Sequence, residues 1–194
     1  MALKVGQKAP DFKVNDQDGN QVSLSSLKGK KVVLYFYPKD QTPGCTTEAC
    51  NLRDNYKLLQ KKGYEVLGVS TDSEKSHQKF IEKQKLPFQL LADVDKIIHS
   101  KYGTWVEKSM YGRKYMGTAR VTFVIDEKGL IEEIIEKVDT KNHADQILNP
   151  GVPSKPVKVK SPKKSSPAKT TAKKLATKKA SKKKAIKKAT KKKR

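Results

Sequence analysis

Residues 31–63 read KVVLYFYPKDQTPGCTTEACNLRDNYKLLQKKG. The first seven, KVVLYFY, form a continuous β-branched and aromatic run with no polar alternation, the pattern of a strand buried on both faces. The run stops at Pro38. Thr46 to Lys62 then reads as a helix closed by Gly63. A strand, a Pro-Gly turn and a helix in 33 residues are the start of an α/β unit.

Working outward, YEVLGVS (64–70) is a second buried strand and Ser73–Lys85 a polar surface helix that ends before Leu86-Pro87. FQLLAD (88–93) is a short third strand, and VDKIIHSKYG (94–103) reads as a helix with Gly103 at its end. ARVTFVID (119–126) and LIEEIIEKV (130–138) flank Glu127-Lys128-Gly129 as a hairpin. FKVNDQDGNQVSL (12–24) holds two short alternating runs about Asp18-Gly19, a peripheral hairpin. Strands separated by helices and followed by an antiparallel pair predict an α/β domain with a mixed central sheet.

Charge divides the 194-residue chain: 43 Lys and Arg stand against 20 Asp and Glu, a net +23. Residues 151–194 hold 19 of the basic residues and no acidic one, which leaves residues 1–150 at +4. About 150 residues suffice for one hydrophobic core. The expected organisation is a folded body over 1–149 and a disordered Lys/Ser/Pro/Ala-rich tail over 150–194, too poor in apolar side chains to fold alone. The start, MALKVGQKAPDF, shows neither a secretory signal nor a membrane-spanning run, so a reducing, cytoplasmic setting is expected.

Both cysteines, Cys45 and Cys50, fall in the opening stretch, between the end of a buried strand and a helix. Open α/β sheets place reactive groups there. Unpaired amides and the helix dipole favour a thiolate at Cys45, while Cys50 lies further along the helix without that advantage. Five residues of ideal helix separate two Cα atoms by roughly 8.6 Å, and a disulfide needs them within about 7 Å. If the two ever bond, the first turns of the helix must unwind.

Three readings compete for this pair. Zinc would call for C-x2-C spacing or nearby histidines, whereas His77, His99 and His143 are scattered. Two inert core cysteines are a second reading. The third, a nucleophilic Cys45 with Cys50 as resolving partner, uses both residues; a thioredoxin-type C-x-x-C is excluded by spacing. Glu48 and Arg53, about one helix turn from the cysteines, read as a surface ion pair sooner than as groups that tune the site, Trp105 as a core or interface aromatic sooner than as a pocket-lining one, and His143 as a capping or surface residue of the last helix.

The stretch PKDQTPGCTTEAC (38–50) resembles the peroxiredoxin pattern Pro-x3-Thr-x2-Cys through Pro38, Thr42 and Cys45, and the second cysteine is similar to the peroxiredoxin Q, or bacterioferritin comigratory protein, branch. Agreement continues through VGQKAPDF (5–12), VLGVSTDS (66–73), LLADVD (90–95), KYGTWVEKSMYGRKYMGTARVTFVID (101–126) and NHADQIL (142–148). The resemblance implies a thioredoxin-like fold and reduction of hydrogen peroxide and organic hydroperoxides without metal or organic cofactor. It makes Cys45 the peroxidatic cysteine, oxidised to a sulfenic acid, and Cys50 the resolving one. The resulting intramolecular disulfide would be reduced by thioredoxin. Thr42 would bond the thiolate and the peroxide, Pro38 would shield the pocket, and Arg120 would hold the thiolate and the leaving oxygen. A monomer suffices, because both cysteines lie in one chain. The chain departs from the family at Asn149-Pro150-Gly151, where the last helix is cut short.

The tail is similar in composition to linker-histone and bacterial histone-like tails, with SPKK at 161–164. Flexible lysines without Trp or Phe suit nucleic-acid phosphates better than a membrane, which implies association with a nucleoid or, in a eukaryote, a nucleus; a solubilising tail or a localisation signal is the competing reading. The competing function class is a packaging protein whose peroxiredoxin-like body is a relic.

Overall fold

The structure, a computed structural model, describes residues 3–110 and 112–150. The tail expected over 150–194 lies, Pro150 apart, outside the described residues.

Strand β3 (Lys31–Phe36) is the centre of the molecule, preceded by the short strands β1 (Lys13–Asn15) and β2 (Gln21–Ser23). Residues 32–37 are each at most 1% exposed. Their alternation sends Val33, Tyr35 and Tyr37 into one core with Cys45, Ala49, Leu52 and Phe80, and Val32, Leu34 and Phe36 into another with Phe12, Ile98, Tyr102 and Phe123. Each such side chain contributes about 1.5–3 kcal/mol when fully removed from water, which is why this run cannot be an edge strand.

On one side β3 pairs in parallel with β4 (Tyr64–Ser70), which pairs in parallel with β5 (Gln89–Ala92). On the other it pairs antiparallel with β8 (Val121–Ile125), itself antiparallel to β9 (Ile131–Ile135). The sheet order β5-β4-β3-β8-β9 is the mixed sheet expected, in a thioredoxin-like arrangement. Helices α1 (Pro43–Asp54), α2 (Tyr56–Lys61), α3 (Glu74–Gln84) and α5 (His143–Leu148) supply side chains to the core that holds Cys45. The β1–β2 hairpin and α4 (Ile97–Tyr102) cover the opposite face.

Two expectations need correction, and one element is added. The single helix over 46–62 is two: it starts earlier, with Pro43 in its first turn where a missing N–H costs nothing, and breaks at Asn55, whose backbone (φ −103°, ψ 4°) leaves the helical range. The helix at 94–103 begins only at Ile97, because Lys96 adopts a left-handed φ of 59° and its amide closes a turn onto the Asp93 carbonyl. A hairpin of β6 (Trp105–Met110) and β7 (Arg113–Thr118) went unread. It pairs only with itself, and much of β7 is exposed, so no buried face imprints a period on its sequence.

Close packing makes one glycine irreplaceable. A Cβ on Gly68, at the middle of β4, would stand 2.5 Å from Leu90 Cδ2 and 2.7 Å from the Tyr35 hydroxyl oxygen. Gly68→Ala is expected to lower stability by about 1–3 kcal/mol through overpacking, read as a lower urea midpoint with an unchanged slope.

Candidate active site

The chain leaves β3 at Tyr37, turns through Pro38–Thr42 and enters α1 with Thr42 as its N-cap residue. Cys45 is therefore in the first helical turn, among amides that have no partner within the helix. Its side chain is 1% exposed and belongs to the core beneath α1. Pro38 and Thr42, at the two ends of the turn, are half-buried. The Thr42 hydroxyl donates to the Lys39 carbonyl at 3.1 Å, a bond within the turn; its lone pairs stay available to accept a further hydrogen bond.

The turn is strained and then clamped. Gln41 has a φ of 57°, a costly value for a residue with a Cβ. Next to it, the buried Asp40 carboxylate accepts from Tyr37 Oη at 2.8 Å, Ser76 Oγ at 2.6 Å and His77 Nδ1 at 2.9 Å, and the Asp40 amide donates to Asp72 Oδ2 at 2.8 Å. Burial alone would raise this carboxyl, but the bonds from His77, Ser76 and Tyr37 hold it below the usual Asp range. His77, whose Nε2 reaches the Leu91 carbonyl at 3.2 Å, thereby ties the turn to α3 and β5.

Arg120, just ahead of β8, comes to Cys45 from across the sheet. The neighbouring Ala119 amide donates to the Thr104 carbonyl at 2.7 Å, fixing where the side chain starts. Arg120 Nη2 then lies 3.2 Å from Cys45 Sγ, while Nη1 donates to Glu48 Oε2. The guanidinium is thus a fork between sulfur and carboxylate, a geometry that Lys cannot reproduce.

Glu48 and His143 correct the sequence reading. Neither is on the surface: both are 0% exposed. Glu48 pairs with Arg120, and Arg53 pairs instead with its exposed neighbour Asp54 at 2.8 Å. His143 opens α5 from inside, with Nδ1 3.2 Å from Glu48 Oε1, close but not aligned for a full hydrogen bond, and Nε2 2.9 Å from Thr122 Oγ1. A signal for Glu48 existed in the sequence. It is three residues after Cys45 and so shares its helix face, and a carboxylate on a core-facing stripe must have a buried partner.

Cys50, half-buried on the same helix, points its thiol to Gln84 Oε1 at 3.6 Å. Both cysteines are free thiols within one unbroken helix. Trp105 packs edge-on to His99 and beneath the Lys96 ammonium. A cavity of about 500 Å³ at the carboxyl ends of β4 and β5 is lined by other residues, among them Lys13, Glu74 and Asp93. Among the described residues no group of three or more His, Cys, Asp or Glu side chains is arranged to hold a metal ion, and no helix is long and apolar enough to cross a membrane.

Burial, then the Arg120 charge, push the His143 imidazole down to about 3, against a smaller opposing effect of Asp139. The folded state therefore refuses a proton that the unfolded chain accepts near pH 6.5, and stability must fall as pH drops from about 6.5 towards 3. His143→Gln is expected to lose this component, flattening the stability profile over that window in denaturant titrations at stepped pH.

Comparison with known proteins matches the same residues. The AhpC/TSA family model covers residues 5–134. Peroxiredoxin Bcp of Escherichia coli is 48% identical over 147 residues, 76% of this chain and 94% of that protein; peroxiredoxin Bcp of Bacillus subtilis is 45% identical over 148 residues, with the same shares. The crystal structure of Xylella fastidiosa PrxQ superposes with a TM-score of 0.72 at 33% identity, over 77% of this chain and 95% of that one. With a buried cysteine in a helix's first turn, an arginine on its sulfur and this likeness along the whole body, the chain belongs to the AhpC/TSA family as a peroxiredoxin of the Bcp/PrxQ kind, a thiol peroxidase.

Proposed function

We propose that Cys45 is the peroxidatic cysteine and Cys50 its resolving partner, in a cycle that thioredoxin completes. The observation that carries this reading is Arg120 Nη2 at 3.2 Å from a Cys45 sulfur held in the first turn of α1. Both the helix N-terminus and the guanidinium favour negative charge on that sulfur.

The thiolate attacks one oxygen of a hydroperoxide, hydrogen peroxide or an organic one. The O–O bond breaks, Cys45 becomes a sulfenic acid, and the leaving oxygen takes a proton to depart as water or an alcohol. Arg120 faces the charge that grows on the sulfur and the oxygens, Thr42 accepts from the incoming hydroperoxide at the turn, and Pro38 limits water. The Cys50 thiolate then attacks the Cys45 sulfenic sulfur: an S–S bond forms, the S–O bond breaks, and hydroxide leaves as water. Because the two Cα atoms are roughly 8.6 Å apart in ideal helix, α1 must unwind over Thr46–Asn51 for this step. Reduced thioredoxin supplies the two electrons that restore both thiols. The cycle needs one chain only, and a monomer is the expected state.

Turnover tests this directly. Cys45→Ser should abolish peroxide-dependent oxidation of reduced thioredoxin, and Cys50→Ser should consume one equivalent of peroxide and then stop. Arg120→Gln should lower the rate by about 10²–10³. Undiminished turnover by Cys45→Ser would overturn the assignment.

The tail over 150–194 is assigned to nucleic-acid phosphates, on the strength of its 19 basic residues and absence of acidic ones from 151 onward. In a bacterial cell this would keep a peroxidase in the cytoplasm at the nucleoid. If six to ten lysines engage, duplex-DNA affinity should fall by about 10³–10⁵ between 50 and 200 mM salt, and a chain ending at residue 150 should lose retention. Equal retention of both chains would remove the proposal.

A further inference from the structure

Resolution asks as much of Cys50 as peroxide reduction asks of Cys45, since only a thiolate attacks a sulfenic sulfur. Yet Cys50 lies in the second half of α1, away from the favourable end of the helix dipole. Its surroundings compensate. Cys50 and Arg53, three residues apart, share one face of α1, and both engage Gln84 at the end of α3: the thiol points to Gln84 Oε1 at 3.6 Å, and Arg53 Nη1 donates to the Gln84 carbonyl at 2.6 Å. The guanidinium is thereby anchored on the residue to which the thiol also points, with Nε and Nη2 on Asp54 Oδ1 at 2.8 Å each.

Four other charged groups, on these elements or on the segments that adjoin α3 and α5, are less suited to the task. Asp54 is largely exposed and is held by Arg53 itself; Lys83 reaches out to Gln41 at 3.5 Å; Lys85 follows the end of α3; Asp139 is bonded by the Asn142 side chain and the Lys141 amide. Arg53 alone among them shares a hydrogen-bond partner with Cys50. The Arg53 guanidinium is in turn held above its usual value, chiefly by Asp54, against burial, and then by the charge and hydrogen bonding of the Cys50 sulfur.

We propose that Arg53 serves the resolving step, placing positive charge near the Cys50 sulfur that displaces hydroxide from the Cys45 sulfenic acid. This rests on the resolving role of Cys50 given above. Arg53 lies beyond Thr46–Asn51, the segment that must unwind and that carries Cys50 itself, and is anchored to α3, so the charge acts on the Cys50 sulfur in the closed helix, from which the opening starts. Gln84 completes the niche: its Oε1 accepts from the thiol, and a half-turn of the amide presents Nε2–H to the thiolate. The residue acts by position and charge; it takes no part in the attack on peroxide, which occurs in the first turn of α1 under Arg120. Slow resolution leaves the sulfenic acid open to a second peroxide and irreversible sulfinic acid.

The test uses the full reduced chain, its Arg53→Gln and its Arg53→Lys variants, mixed with one equivalent of hydrogen peroxide and quenched over time from pH 5.5 to 9. Dimedone traps the sulfenic acid, and mass spectrometry counts it against the Cys45–Cys50 disulfide. Sulfenic acid should appear at the wild-type rate in all three. In Arg53→Gln its conversion to disulfide should slow by about three- to tenfold at pH 7, recover towards wild type at high pH, and leave more sulfinic acid under excess peroxide. Arg53→Lys should restore most of the rate. A wild-type resolution rate and pH profile in Arg53→Gln would overturn the proposal, as would equal slowing at every pH in both variants, the mark of a merely structural role. Failure of the unsubstituted chain to form a Cys45–Cys50 disulfide would instead overturn the resolving role of Cys50, and this inference with it.

Discussion

A carboxylate with no access to water must be matched by charge and hydrogen bonds, and the Glu48 carboxylate sets that condition at the centre of this molecule. It sits on α1 one turn from Cys45, faces His143 at the start of α5, and is bonded by Arg120 from the edge of β8. Removing one partner of such a buried pair typically costs about 3–5 kcal/mol, so the three elements are bound to one arrangement. Arg120 cannot satisfy Glu48 without also presenting its second nitrogen to the Cys45 sulfur. The stability of the fold and the aim of the guanidinium are thus one requirement.

The turn that leads into Cys45 is held by a second buried carboxylate. Asp40 gathers Tyr37, Ser76 and His77, and in doing so offsets the left-handed backbone at Gln41. The first turn of α1, where the proposed attack on peroxide takes place, is thus tied to both clusters. Its middle is less robust. Thr46, Thr47 and Asn51 are poor helix formers, and Asn51 spends its side chain on another element, donating to the Lys141 carbonyl and accepting from the Ala144 amide. Opening of α1 therefore also releases the cap that Asn51 places on α5.

Legibility in the sequence followed burial. Strands β3, β4 and β5 and the β8–β9 hairpin could be read because two-sided or one-sided burial writes an apolar run or an alternation into the chain. The β6–β7 hairpin could not, since it covers no core from both faces. The break between α1 and α2 at Asn55 was equally invisible, because residues on both sides are acceptable helix formers and only packing decides where the axis bends. Cys45, Thr42, Pro38 and Arg120 were accessible through a motif and a matched segment, whereas Glu48 and His143 passed for surface residues. Glu and His on a short helix look solvated unless the buried partner is known, and here that partner is Arg120, 72 positions beyond Glu48.

By itself the sequence determined the α/β class, the division between a balanced body and a Lys-rich extension, and the placing of two cysteines too far apart in a helix to bond without unwinding. Those features depend on local periodicity, composition and helix geometry, all of which act over a few residues. Only the tertiary structure decided that Arg120 reaches Cys45, that Glu48 and His143 are buried behind it, and that Arg53 shares Gln84 with Cys50. Each of these is a meeting of side chains from elements distant in sequence. Such meetings are fixed by close packing and by the cost of leaving a buried polar group unpaired, and neither of these is written in any one stretch of the chain.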